Sequence, residues 1–359
     1  MKTKSIFAIC MIGFALAVAT LSCQVAGRQA EPVETNIPLE SLLPTPVQEK
    51  TEPPIPTTEP PVPTLPPTAA PAVSTSAPTQ VPTAAPPAGP ESFAPCNKEI
   101  CIREGVFLLQ RPVGEGGRLA YDTSNRYGEY QRSTRNANLG SDFLNSTGAS
   151  VVTAADGKVV VAGDDSQTAY SPRLNTYGNL VILEHSLPGV SQPVYTLYAH
   201  LSEVLVEEGD SVAAGQEIGK VGMSGNVGGS TLHFEVRQGE NKPENAVNPE
   251  LWLRPLTGED GEQLGALAGS ITDASGNFIA LRNIVLERLA GAGQPAVDQY
   301  YLKTYSDKDL RGGEPWKENF AAGDLPPGKY QISVWLNKMH QKLVEIEPGK
   351  LTVVNFQIK

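Results

Sequence analysis

Tyr177-Gly178-Asn179-Leu180-Val181-Ile182-Leu183-Glu184-His185 and, shortly after it, Val194-Tyr195-Thr196-Leu197-Tyr198-Ala199-His200 decide the fold class. Both are short runs rich in β-branched and aromatic residues, bounded by Gly, Asn and Ser, and neither carries a 3.6-residue apolar period. Working outward, the same texture recurs at Val106–Gln110, Ser150–Thr153, Lys158–Ala162 and Leu232–Val236. The spacing predicts a mainly β module over residues 93–254, ending near Asn248-Pro249-Glu250-Leu251-Trp252-Leu253. Beyond it, Gly269-Ser270-Ile271-Thr272-Asp273, Ile284–Leu289, Leu325–Val334 and Leu351–Ile358 predict a second, smaller β-sandwich over 265–359.

The whole chain has 359 residues, of which 31 are Pro and 34 Gly, and 40% are hydrophobic. Its 28 Lys+Arg stand against 39 Asp+Glu, a net charge of −11. No concentrated positive face is visible, which argues against nucleic acid as a partner. Nothing after residue 22 is apolar for long enough to cross a bilayer as a helix, which excludes a multi-span helical membrane protein.

At the N-terminus, Lys2 and Lys4 precede an uncharged apolar run from Ile6 to Leu21, the pattern of an export signal over residues 1–22. Thr20-Leu21-Ser22-Cys23 resembles a lipobox, which makes Cys23 a lipidation site and the membrane a partner through the lipid. Ala17-Val18-Ala19 offers an ordinary cleavage and a secreted product, and an uncut signal would serve as an anchor. All three outcomes are extracytoplasmic. Residues 24–92 follow as a Pro/Thr-rich stalk: 18 prolines lie between Glu31 and Pro90, and no aromatic occurs from Gln24 to Ser92. Such a segment buries too little apolar surface to offset its chain entropy and reads as a disordered linker. In an oxidising compartment, Cys96 and Cys101 read as a local disulfide; a metal site there would need a second Cys/His pair, and none lies nearby.

Three of the four histidines, His185, His200 and His233, fall in the first β module. Around them stand Asn138-Leu139-Gly140-Ser141-Asp142, Gly148–Val159, Tyr198-Ala199-His200-Leu201, Val206–Val221 and Thr231-Leu232-His233-Phe234-Glu235-Val236. In this order, over Phe107 to Leu253, the series resembles the lysostaphin/LytM-type zinc endopeptidases, which cut peptide cross-links of bacterial cell walls. The resemblance implies a tetrahedral zinc held by His, Asp and His, with an activated water in the fourth position and two further histidines moving protons. Carried over by position, the Asp ligand is Asp142, the second His ligand is His233, and one catalytic histidine is His200. The first ligand position holds Asn138 and the other catalytic position holds Thr231, so two of three zinc ligands are present. An amide oxygen is a weak zinc donor and a threonine does not titrate near neutral pH. The resemblance therefore implies a degenerate, non-catalytic site, serving to bind peptidoglycan or to regulate a cell-wall hydrolase. An active zinc endopeptidase cutting peptidoglycan cross-links is the alternative, with His185 a candidate substitute ligand although the family commonly has a non-ligating His there, and an inert structural module is a third reading. Val206–Val221 also resembles a biotinyl/lipoyl hammerhead, but Lys220 lies within a strand-like run rather than at a hairpin tip. The second module resembles the transthyretin-like, carboxypeptidase-regulatory-type sandwich; its lone His340 reads as an ordinary histidine.

Overall fold

The structure is a computed structural model that describes residues 92–131, 136–291, 294–305, 310 and 312–358. The export signal, Cys23 and all but the last residue of the stalk lie outside the described residues. Among the described residues the architecture is β, with two 3-10 turns at Pro243–Asn245 and Pro249–Leu251.

The larger sheet has the order Ala246–Val247, Thr231–Gln238, Val194–Val204, Asn179–His185, Gly157–Asp164 and Ser211–Val212, all antiparallel. Ser141–Leu144 adds to the Thr231–Gln238 strand, and Glu217–Val221 joins Ser150–Val152 to the Val194–Val204 strand. Alternation along Thr231–Gln238 sends Leu232, Phe234 and Val236 into the main core beside Phe143, Val181 and Tyr198. Thr231, His233, Glu235 and Arg237 face the other way, yet all four are buried. That second face is closed by a small cluster of Tyr177, Leu180, Ile182, Leu197 and Ala199.

Val106–Gln110, expected as a strand, is not one. Its apolar residues are consecutive rather than alternating, and Val106, Phe107, Leu108 and Leu109 are all buried in an irregular segment. Leu109 meets Leu253 in a single parallel bridge, donating to the Trp252 carbonyl and accepting from the Arg254 amide. Tertiary packing overrides local β-propensity here.

The sandwich consists of two sheets. One has the order Ile100–Arg103, Leu351–Gln357, Gly265–Thr272 and Phe320–Leu325, with the middle pair parallel. The other is the antiparallel set Ala296–Lys303, Asn283–Leu289, Gly328–Trp335 and Met339–Ile346. Leu267, Ile271, Ile284, Leu286, Phe320, Ile332, Val354 and Phe356 fill the space between them. Strand Ile100–Arg103, which precedes the large sheet in the chain, pairs with the last strand of the sandwich. The outer face of that first sandwich sheet, through Ala266, Ala268, Leu351 and Val353, belongs to the same apolar cluster as Phe107, Phe143 and Trp252. Cys96 and Cys101 form a disulfide with Cα atoms 5.8 Å apart, at the start of the pairing strand.

Candidate functional site

Antiparallel pairing places His233 opposite Asp142 on one side and Ala199 on the other. Direct opposition brings side chains of one face into contact. His233 Nδ1 lies 2.8 Å from Asp142 Oδ1, and its Nε2 lies 3.3 Å from Glu235 Oε1. Glu235, wholly buried, also accepts from Tyr177 Oη and from Arg237 Nε at 2.8 Å. Arg237 is fixed in turn by the Asn241 side chain and the Tyr170 carbonyl, at 3.0 and 2.6 Å. The Tyr177 ring stacks on His233 with centroids 5.3 Å apart.

Simple alternation would put His200 on the Tyr198 face, in the main core. Instead its ring lies 5.9 Å from that of His233. The register between the Asn179–His185 and Val194–Val204 strands slips between Asn179 and Val181, and His200 has φ 63°. A bulge with a left-handed histidine turns the side chain onto the site face, a strained conformation that costs on the order of 1–3 kcal/mol. His200 Nδ1 is bound to the Ser224 carbonyl at 2.9 Å, which leaves Nε2 as its remaining polar atom.

Asn138 is buried beside this pair. Its Nδ2 donates to the Asn125 carbonyl at 2.8 Å and lies 3.4 Å from Asp142 Oδ2, while its Oδ1 accepts from the Gly140 amide at 3.2 Å. A carbonyl demands the nitrogen and an amide demands the oxygen, so the two backbone partners fix the orientation of the side chain. Asn125 Nδ2 gives Asp142 Oδ2 a further bond of 2.8 Å. The Asp142 carboxylate is thus surrounded by an imidazole and two amides. The Thr231 hydroxyl is buried and makes no hydrogen bond among the described residues.

Electrostatics follow from this enclosure. Burial alone would lower the His233 pKa, but its bonds to Asp142 and Glu235 and their charges push it up to about 9. Burial would raise Asp142, yet the bond and charge of His233 and the Asn125 amide hold it below its ordinary value. Burial, then the neighbouring His233 charge, lowers His200 to about 4. At neutral pH the site holds an imidazolium between two carboxylates, with a neutral imidazole beside it. All of this opens into a cleft of about 680 Å³, walled by Asn125, Tyr130, Pro172, Tyr177, Asn226 and Val227 among others.

The structure gathers Asn138, Asp142, His200, Thr231 and His233 around this one cleft. It does not bring His185 there: both ring nitrogens are engaged elsewhere, with the Asp156 carbonyl at 2.8 Å and Thr196 Oγ1 at 2.7 Å. His340 stands on the sandwich, near Asn337. Glu235, Arg237, Tyr177 and Asn125 were not singled out from sequence as site residues. The alternation Thr231-x-His233-x-Glu235-x-Arg237 carried the signal for two of them; Asn125 sits in a loop with no pattern to mark it.

Comparison with known proteins agrees with this geometry. The profile of Peptidase family M23 matches residues 136–249. Murein hydrolase activator NlpD of Salmonella dublin is 36% identical over 116 residues, 32% of this chain and 26% of that protein. Peptidoglycan DD-endopeptidase ShyB of Vibrio cholerae is 37% identical over 114 residues, 31% of this chain and 23% of that protein. Outer membrane antigenic lipoprotein B of Haemophilus influenzae is 38% identical over 105 residues, 29% of this chain and 22% of that protein. The chain thus spans about a quarter of the length of these relatives. The Asn138, Asp142, His200, Thr231 and His233 cleft lies wholly within the matched stretch, and the chain carries a Peptidase family M23 domain.

Proposed function

We propose that this domain is a non-catalytic peptidase M23 groove in an exported cell-envelope protein, one that binds peptidoglycan or regulates a cell-wall hydrolase. The observation that carries the proposal is the fixed Asn138 amide at a ligand position, with Thr231 where the second catalytic histidine would stand. The donor set does not fit a catalytic zinc. Of three ligand positions, Asp142 and His233 converge, but the third presents an amide nitrogen to Asp142 while its oxygen accepts from the Gly140 amide. An amide N–H offers no lone pair to a cation. At Thr231 there is no group to carry a proton. Similarity to a murein hydrolase activator supports the regulatory branch.

The alternative, a zinc endopeptidase of wall peptides, is favoured by the similarity to a DD-endopeptidase. Metal content separates the two: the full chain, purified with zinc present and desalted, is expected to hold well under one zinc per chain, and stoichiometric zinc would favour the endopeptidase. Similarity to an outer membrane lipoprotein supports the lipid anchor read at Cys23, with secretion as the alternative. Metabolic labelling with a radioactive fatty acid, lost in Cys23→Ser, tests that placement. Fold and activity separate readily, so these assignments rest on the site and its similarities and not on the β architecture.

A further inference from the structure

The sandwich has two outward faces. One is buried in the apolar cluster shared with the large sheet, as Ala266, Ala268, Leu351 and Val353 show. The other, on the sheet of Ala296–Lys303, Asn283–Leu289, Gly328–Trp335 and Met339–Ile346, is open. Its centre is an ordered polar ladder. Glu287 accepts from Gln299 Nε2 at 2.7 Å and from Gln331 Nε2 at 3.4 Å, and Tyr301 Oη donates to Gln299 Oε1 at 3.0 Å. Two large aromatic rings stand to one side of it, one and two side-chain repeats along: Tyr301 is 72% exposed and Trp335 63%. Tyr301 pairs with Val285, and Val285 with Ser333, so Tyr301 and Trp335 stand two strands across and one side-chain repeat along. Standard sheet spacing puts their Cα atoms roughly 12 Å apart.

We propose that this face binds an uncharged polysaccharide strand. Charge and hydrogen-bonding chemistry select that occupant. Lys303 and Lys329 balance Glu287 and Glu345 on the face, two against two, in a chain of net charge −11. A balanced face offers nothing to nucleic acid or an anionic membrane, both of which need basic excess. Planar amides and a carboxylate held at fixed spacing match hydroxyl groups that both donate and accept. Open aromatic rings match the C–H faces of pyranose rings, and two of them at this separation suit a disaccharide span. Val297, Met339 and Leu343 also stand exposed on this face, but an apolar partner laid over them would strip the remaining lone pairs of the bonded Gln-Glu-Gln ladder of water. The inference concerns the sandwich alone and stands apart from the reading of the M23 cleft.

The test uses the full chain with insoluble chitin and cellulose, and with soluble chitin hexasaccharide followed by tryptophan fluorescence. Trp252 and Trp316 are buried, so Trp335 is the exposed reporter among the three tryptophans. The expected result is retention on at least one polymer, a saturable change in emission, and a loss of affinity of about tenfold or more in Tyr301→Ala with Trp335 still reporting. Trp335→Ala is expected to lose retention while keeping its circular dichroism, since neither ring supports the core. No retention on either polymer would overturn the proposal, as would retention that both variants leave unchanged. A concentration-dependent self-association abolished by the two variants, without sugar binding, would overturn it in favour of a protein-binding face.

Discussion

His233 bonds two carboxylates at once, and that arrangement has a pH signature. A histidine raised from its ordinary 6.5 to about 9 contributes stability that is complete below about 6.5 and is lost as pH climbs through about 9. Urea unfolding of the full chain is expected to show native stability falling across that window relative to His233→Gln, by on the order of 3 kcal/mol in total. A difference that stays flat from pH 6 to 9.5 would mean that the imidazole is not held protonated. Truncating the partner has a different consequence. Asp142→Ala leaves His233 with Glu235 alone and takes the carboxylate from the Asn125 amide, and is expected to destabilise by about 1–3 kcal/mol in denaturant titration. From sequence, Asp142 and His233 were legible by their place in a motif; Glu235 was not singled out, although alternation puts it on the His233 face. The charge state was not legible, because it depends on which two strands bring carboxylates to either side of one ring.

Strands were legible where alternation and flanking turns coincide. The strand Asn179–His185 lies within the quoted stretch Tyr177–His185, and Thr231–Gln238 extends the expected Leu232–Val236 by a few residues. Ala296–Lys303 and Met339–Ile346 went unread, since both are edge strands of the open sheet and carry mixed polar and apolar residues on their exposed side. The His200 bulge was also illegible, because a one-residue slip leaves no mark in composition. The short turn Pro249–Leu251, read only as the end of a module, holds an anchor instead. Its buried Glu250 accepts from Tyr121 Oη at 2.9 Å and the Gly323 amide at 2.8 Å, and pairs with Arg126. Glu250 therefore ties together the loop before Asn138, the turn, and a sandwich strand. Glu250→Ala strands a buried arginine and is expected to cost about 3–5 kcal/mol by thermal or urea unfolding; an effect below about 1 kcal/mol would contradict this role.

Across the whole molecule, the sequence suggested two modules joined near residues 254–265, and the apolar cluster runs through that junction. Phe107 and Trp252 share a core with Ala266, Ala268, Leu351 and Val353, and Arg111 pairs with Asp324 at 2.6 Å. Contacts between residues so far apart in the chain leave no local pattern, which is why the continuity could not be read in advance. The described region is accordingly expected to unfold in one transition, with fluorescence and circular dichroism coinciding; two separated transitions would show that the modules fold independently. Whether the cleft retains peptidase chemistry is read from release of muropeptides from purified sacculi. The full chain and the double variant Asn138→His with Thr231→His would be compared in the presence of zinc. No release is expected from the native chain, and release from the double variant, in which the groove regains its missing imidazoles. Zinc-dependent release by the native chain would contradict the non-catalytic reading.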